Sequence, residues 1–196
     1  MSQYQDESIA KIKRELVKKD HASIYGDGIY IGGQLIVFTP RVIQADVIIT
    51  LPGDFIEMPK EIQQLKYPSE SRPQSIFTSL DTTVNFSFNV VKQEIRLENL
   101  ESFVDQLSEV IRRTNPSAVF YKDKIGKLSS GKPIYMFDFK TFSIDEPIYN
   151  MMCFTIVSNY VVHGAFSCME RDAEEWKDAA WEVFQSMRSD TEKEQA

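Results

Sequence analysis

The chain has 196 residues, of which 42% are hydrophobic, and it carries 22 Lys and Arg against 29 Asp and Glu. This length predicts one domain with a core large enough to need no disulfide or metal for stability. The net charge of −7 argues against nucleic acid as a partner. Two Cys and two His leave few residues for metal or thiol chemistry, so we expect no cofactor.

An amino-terminal extension is predicted over residues 1–33, beginning with a short amphipathic helix. Ile9, Ile12 and Leu16 recur at helical spacing between residues 6 and 19, and they form a narrow apolar stripe. This helix could pack on its own domain, pack on a partner, or exchange between copies. No early apolar run resembles a secretory signal, and none in the chain approaches the ~20 residues of a membrane span. We therefore expect a cytoplasmic protein without stable membrane insertion.

A glycine-rich stretch completes the extension. Gly26, Gly28, Gly32 and Gly33 separate short runs of β-branched residues, a pattern typical of strands joined by tight turns. A phosphate-binding glycine loop would open a helix, whereas a strand follows here. The pattern therefore favours a turn region over a nucleotide site.

The main domain is predicted over residues 34–189. Its first half contains four predicted elements: a strand at 46–51, a two-turn helix at 60–66, and strands at 75–80 and 83–91. In the last of these strands Val84, Phe86 and Phe88 point one way, and polar residues alternate with them. Such alternation is typical of a strand with one face in solvent.

The second half of the domain contains the clearest predicted element, a helix over 97–113. Its apolar stripe is broad enough to cover one face of a sheet. The other predicted elements are strands at 118–125, 133–142, 148–157 and 160–168, a helix that begins at Asp172, and a charged tail at 190–196. Short turns between successive strands predict an antiparallel sheet, and the two helices complete an α+β fold, an α/β/α sandwich.

The two cysteines lie on consecutive predicted strands. If residues 158–159 form the turn, Cys153 lies opposite Gly164 and Cys168 opposite Tyr149. The cysteines then share a face but lie roughly 13 Å apart along it, beyond the reach of a disulfide. We expect two free, buried thiols.

His163 is the only histidine inside a predicted element, and this register places it beside Phe154. A lone strand histidine among apolar side chains is more often a hydrogen-bonded core residue than a catalytic one. The alternative is an enzyme with an unfamiliar site, in which His163 acts with Asn150 or Ser167.

Six sequence features in chain order resemble the PsbP-like superfamily. They are ITLPGDF, MPKE, KYPSESRPQ, DTTVNFSFN, a helix that ends in NP, and HGAFSC before a Trp-bearing helix. The superfamily includes the extrinsic PsbP protein of photosystem II, the yeast Ran-binding import factor, bacterial DcrB-type proteins and the Eag chaperones of type VI secretion effectors. The resemblance covers residues 34–189 and implies an α/β/α sandwich with a binding role rather than a catalytic one.

The leading functional hypothesis is a non-enzymatic, cytoplasmic protein-binding module. By resemblance to the Eag branch, its most concrete form is a bacterial adaptor or secretion-associated chaperone. Two candidate surfaces are the apolar strand residues Val84, Phe86 and Phe88, and the loop from Tyr67 to Pro73, which contains Arg72. The expected partner is another protein, and a homo-oligomer is also possible.

Overall fold

The computed structural model describes residues 23–92, 95–121 and 123–190. The helix predicted over residues 6–19 lies outside these residues, as does the predicted tail from residue 191 onward.

Thirteen strands and three helices occupy the described residues. The strands are β1 (Ile29–Ile31), β2 (Gln34–Ile36), β3 (Phe38–Gln44), β4 (Val47–Pro52), β5 (Ile56–Glu57), β6 (Ser75–Thr78), β7 (Asn85–Lys92), β8 (Val119–Phe120), β9 (Lys124–Lys127), β10 (Pro133–Phe142), β11 (Pro147–Val157), β12 (Tyr160–Met169) and β13 (Arg188–Ser189). The helices are α1 (Lys60–Lys66), α2 (Leu97–Thr114) and α3 (Ala173–Gln185), and a 3-10 turn (Glu170–Asp172) precedes α3. None of these helices combines the length and apolar character that crossing a membrane requires.

The centre of the fold is an eight-stranded antiparallel sheet in the order β5-β6-β7-β12-β11-β10-β8, with β9 also paired to β10. A smaller sheet has the order β13-β4-β3, and β1 and β2 form a hairpin. In the β11–β12 hairpin Cys153 lies opposite Gly164 and Cys168 opposite Tyr149, so the predicted register is confirmed. Both cysteines are buried and free.

Each face of the central sheet is covered by one long helix. On the first face Trp176 and Phe184 of α3 pack in the same buried cluster as Phe166 of β12. On the opposite face Leu100 of α2 packs with Phe137 of β10 and with other apolar side chains of β10 and β11. The predicted sandwich is confirmed, because alternate side chains of β10 and β11 enter the two different cores.

The sequence predicts a domain boundary between residues 33 and 34, but this position lies in the turn of the β1–β2 hairpin, so the boundary is corrected. Ile31 lies opposite Gln34 in the hairpin, and Ile24 and Ile31 are both buried in the core beneath α3. The backbone N–H of Ile24 donates to the Glu182 carboxylate of α3 at 3.0 Å. Residues 23–33 are therefore part of the domain, because they contribute to the same apolar core.

Gly164 lies where β12 passes beneath α3. A Cβ atom at this position would be 2.7 Å from Cys153 Sγ and 2.8 Å from a ring carbon of Phe184, and both neighbours are fully buried. We expect Gly164→Ala to lower the free energy of unfolding by about 1–3 kcal/mol, the usual cost of overpacking a core. Urea denaturation measures this loss. Gly26→Ala is the control, because its Cβ would meet no atom closer than 3.7 Å; equal unfolding midpoints for the two variants would contradict the prediction.

The outer strands of the central sheet are short. β5 and β8 contain two residues each, and β9 contains four. The smaller sheet has a longer outer strand, β3, and Pro40 lies within it.

Candidate functional site: the open face of the sheet

Helix α2 covers β10 and β11 more closely than it covers β12 and β7. On this side of the sheet, the half-buried side chains include Asn89, Met152, His163, Ala165 and Ser167. Cross-strand partners share a face, and the register pairs His163 with both Asn89 and Phe154. We call these five residues the open face.

An aromatic row connects α2 to the open face. Phe103 of α2 is 40% exposed, and its ring lies edge-on to that of Phe154, with 6.0 Å between the ring centroids. Phe154 is buried and stacks on His163, with 4.5 Å between centroids and 2° between the ring planes. Phe103 is the outermost ring of this row, so a partner protein can contact it beside the open face.

The loop over residues 67–74 borders the other side of the open face. The Tyr67 hydroxyl forms a hydrogen bond with Ser167, and burial raises the pKa of Tyr67 above its ordinary value. The backbone N–H of Gln74 donates to Asn89 Oδ1 at 3.1 Å. Tyr67, the first residue of the predicted loop, and Gln74, the residue directly after it, are thus attached to open-face residues.

Arg72 lies within this loop and is half-buried. Its Nε donates to the Ser69 carbonyl oxygen at 3.3 Å. No carboxylate of the described residues forms an ion pair with its guanidinium. The structure therefore brings Tyr67 and Arg72 to one side of the open face, and their contact with a partner stays a prediction.

The prediction of a binding surface at Val84, Phe86 and Phe88 is wrong, because these residues belong to the core. They are 6%, 0% and 1% exposed, respectively. They lie on the face that α3 covers, where the Phe86 ring lies 5.8 Å from that of Phe184. On the other side of β7, Ser87 is buried as well, at 7% exposed, whereas Asn89 of the open face is half-buried. The alternation identifies the two faces of the strand correctly but does not reveal that α3 covers the apolar one.

His163 differs from the hydrogen-bonded core histidine expected from the sequence. Its Nε2 atom is buried and has no hydrogen-bond partner among the described residues. Burial lowers the pKa of His163 to about 4, so the ring is neutral at physiological pH. Asn150 and Ser167 lie opposite each other, four residues from the Phe154–His163 pair, which is roughly 13 Å along the strands. The structure does not bring His163 within hydrogen-bonding distance of either residue.

A second polar cluster lies where β8 and the 3-10 turn meet the sheet. The Tyr149 hydroxyl donates to Asp138 Oδ2 at 2.7 Å, and the Tyr121 hydroxyl donates to Glu170 Oε1 at 3.0 Å. Lys140 Nζ lies 3.6 Å from the same Glu170 oxygen. Burial raises the pKa of Tyr121 to about 12, with Glu170 contributing, and burial also raises that of Tyr149. Both phenols stay protonated as donors, which suits a structural network that holds these segments together.

No protein-family model and no curated protein matches the sequence. Among solved structures, cyanobacterial PsbP (CyanoP) from Synechocystis sp. PCC 6803 is similar, with a TM-score of 0.59 and 13% identity over 81% of this chain and 95% of that chain. LpqN, involved in cell envelope biogenesis of Mycobacterium tuberculosis, is similar with a TM-score of 0.53 and 11% identity over 86% of this chain and 97% of that chain. The chain therefore has a PsbP-like fold, as its sequence features predict. Identities this low show the fold alone.

Proposed function

We propose that this protein is a non-enzymatic binding module that recognises another protein through the open face and the loop over residues 67–74. The observation that carries the proposal is Phe103, an aromatic ring that is 40% exposed and contacts Phe154, which stacks on His163 of the open face. Partly exposed aromatic residues beside polar groups are typical of the residues that dominate binding energy in protein interfaces.

In its most concrete form the module is a cytoplasmic adaptor or secretion-associated chaperone of a bacterium. Support for this form comes from the resemblance of six sequence features to a superfamily that includes chaperones of secretion effectors and a Ran-binding factor. The acidic balance of the chain, −7, also supports a protein partner over nucleic acid. The PsbP-like fold is compatible with this role without identifying the partner.

A pulldown of the tagged full-length chain from native extract tests the proposal. Mass spectrometry identifies the eluted proteins, and light scattering gives the mass of the complex. We expect one dominant stoichiometric partner that is lost when Phe103 is changed to Ala. Recovery of this chain alone, at a defined oligomeric mass, would contradict the proposal and favour a homo-oligomer.

Charge reversal at Arg72 tests the loop. We expect Arg72→Glu to weaken partner binding about tenfold, because a guanidinium without an ion pair is replaced by a carboxylate at the edge of the proposed interface. Isothermal titration calorimetry with the purified partner measures the change. Arg113→Glu, an exposed reversal near the end of α2, is the matched control. Unchanged affinity in a folded Arg72→Glu protein would exclude the loop from the interface.

A further inference from the structure

An open cleft of about 700 Å³ lies at the end of the central sheet where α2 begins. Lys92 is the last residue of β7, Lys132 directly precedes β10, and Asn159 lies in the turn between β11 and β12. These strands are consecutive neighbours in the sheet, so residues far apart in sequence line one cleft. We call it the basic cleft.

One wall of the basic cleft is apolar. It consists of Ile95 and Leu97 at the start of α2 and Ile156 near the end of β11. Leu97 is 42% exposed, and Ile156 packs partly against the core beneath α2. An apolar side chain of a ligand could be removed from water against this wall at a gain of about 25 cal/mol per Å².

The charge of the cleft is opposite to that of the whole chain. Neither Lys92 nor Lys132 has a carboxylate within 4.0 Å among the described residues, although the chain carries a net charge of −7. Nearby, Glu98 in the first turn of α2 pairs with Arg96 at 3.7 Å. Asp46, which lies behind the cleft wall, accepts hydrogen bonds from two serine hydroxyls. Both lysines are therefore available to carboxylates from outside the described fold.

We infer that the basic cleft binds an acidic segment of a partner protein, in which an apolar side chain lies between two carboxylates. The carboxylates pair with Lys92 and Lys132, and the apolar side chain packs on Ile95, Leu97 and Ile156. The volume of the cleft falls within the roughly 300–1,000 Å³ that is typical of ligand sites. This inference rests on the proposed function and adds the chemistry by which the partner is recognised.

A defined synthetic peptide tests the cleft directly, in place of the natural partner. The probe is a fluorescein-labelled peptide of alternating glutamate and leucine, and fluorescence anisotropy with the full chain measures its affinity. We expect the double variant K92E/K132E to bind it at least tenfold more weakly, and we expect added salt to weaken binding to the wild type. Lys60→Glu, an exposed reversal on α1, should leave the affinity unchanged. If a control peptide of alternating glutamine and leucine binds the wild type as tightly as the glutamate–leucine peptide does, the inference is overturned. It is also overturned if the K92E/K132E protein, with an unchanged urea midpoint, binds the glutamate–leucine peptide with wild-type affinity.

Two parallel measurements separate this inference from the proposed function. If Phe103→Ala loses the natural partner and K92E/K132E retains it at full affinity, the inference fails and the proposed function stands. If no protein is captured by the wild type, the proposed function fails, and the partner assignment of the cleft fails with it. Binding of phosphatidylglycerol vesicles that depends on both lysines, without binding of the acidic peptide, would also overturn the inference.

Discussion

Phe86→Ala should lower the free energy of unfolding by about 3–5 kcal/mol, a large part of the roughly 5–15 kcal/mol that stabilises a typical domain. The side chain is 0% exposed, and its ring centroid lies 4.8 Å from that of Phe166 and 6.1 Å from that of Phe55. Removing the ring leaves a cavity between β7, β12 and α3 that these rigid neighbours cannot fill. Urea denaturation followed by circular dichroism measures the loss.

Phe103→Ala is the matched control, since it removes the same ring from the surface. We expect it to cost about 1 kcal/mol or less in stability, because much of the ring is already in water, and to weaken partner binding. Comparing the two variants thus separates an effect on folding stability from an effect on partner binding. A Phe103→Ala protein as unstable as Phe86→Ala would show that Phe103 belongs to the core and would remove the main support for the open face as an interface.

Acid should destabilise the protein through His163. The pKa of His163 is about 4 in the folded state and about 6.5 in an unfolded chain, so the unfolded state binds a proton first. The contribution of the neutral ring is present in full above pH 6.5 and is lost as the pH falls from 6.5 to 4. At about 1.4 kcal/mol per pKa unit, this loss amounts to at most about 3 kcal/mol.

His163→Phe isolates that loss, because it keeps a ring stacked on Phe154 and removes the titration. Urea unfolding of both proteins at pH 7.5 and pH 4.5 gives the comparison. Acidification should destabilise the wild type more than the variant, since Asp46 and Asp81, whose hydrogen bonds lower their pKa, are present in both proteins. Equal losses in the two proteins would mean that His163 is protonated as easily in the folded state as in the unfolded one.

Elements with regular periodicity were predictable from the sequence. The predicted bounds of β10 match the structure, and the β11–β12 register follows from a two-residue turn. The predicted strand over 118–125 is divided into β8 and β9 because the register with β10 shifts by one residue between Phe120 and Lys124. Such a change of register depends on tertiary contacts, among them the Tyr121 hydroxyl on Glu170, and hydrophobic alternation does not mark it.

The candidate surfaces were only partly predictable, because they depend on strand order and on which elements cover each face. Tyr67 and Arg72 could be identified from one loop, whereas Phe86 was misassigned because the sequence does not reveal that α3 covers its face. Lys92 ends β7 and Lys132 directly precedes β10, and β11 and β12 separate these two strands in the sheet. No local pattern relates two lysines that are 40 positions apart in the chain.

The short outer strands limit how this protein can associate with others. An unpaired strand edge is a template for strand addition and for edge-to-edge aggregation, and a two-residue strand such as β5 or β8 offers few backbone groups for either process. In β3, the longer outer strand, Pro40 has no N–H to donate. Concentrated solutions should therefore resist fibril formation. Association with another protein therefore depends on the side chains of the sheet faces and loops. The identity of these side chains can determine specificity for one partner.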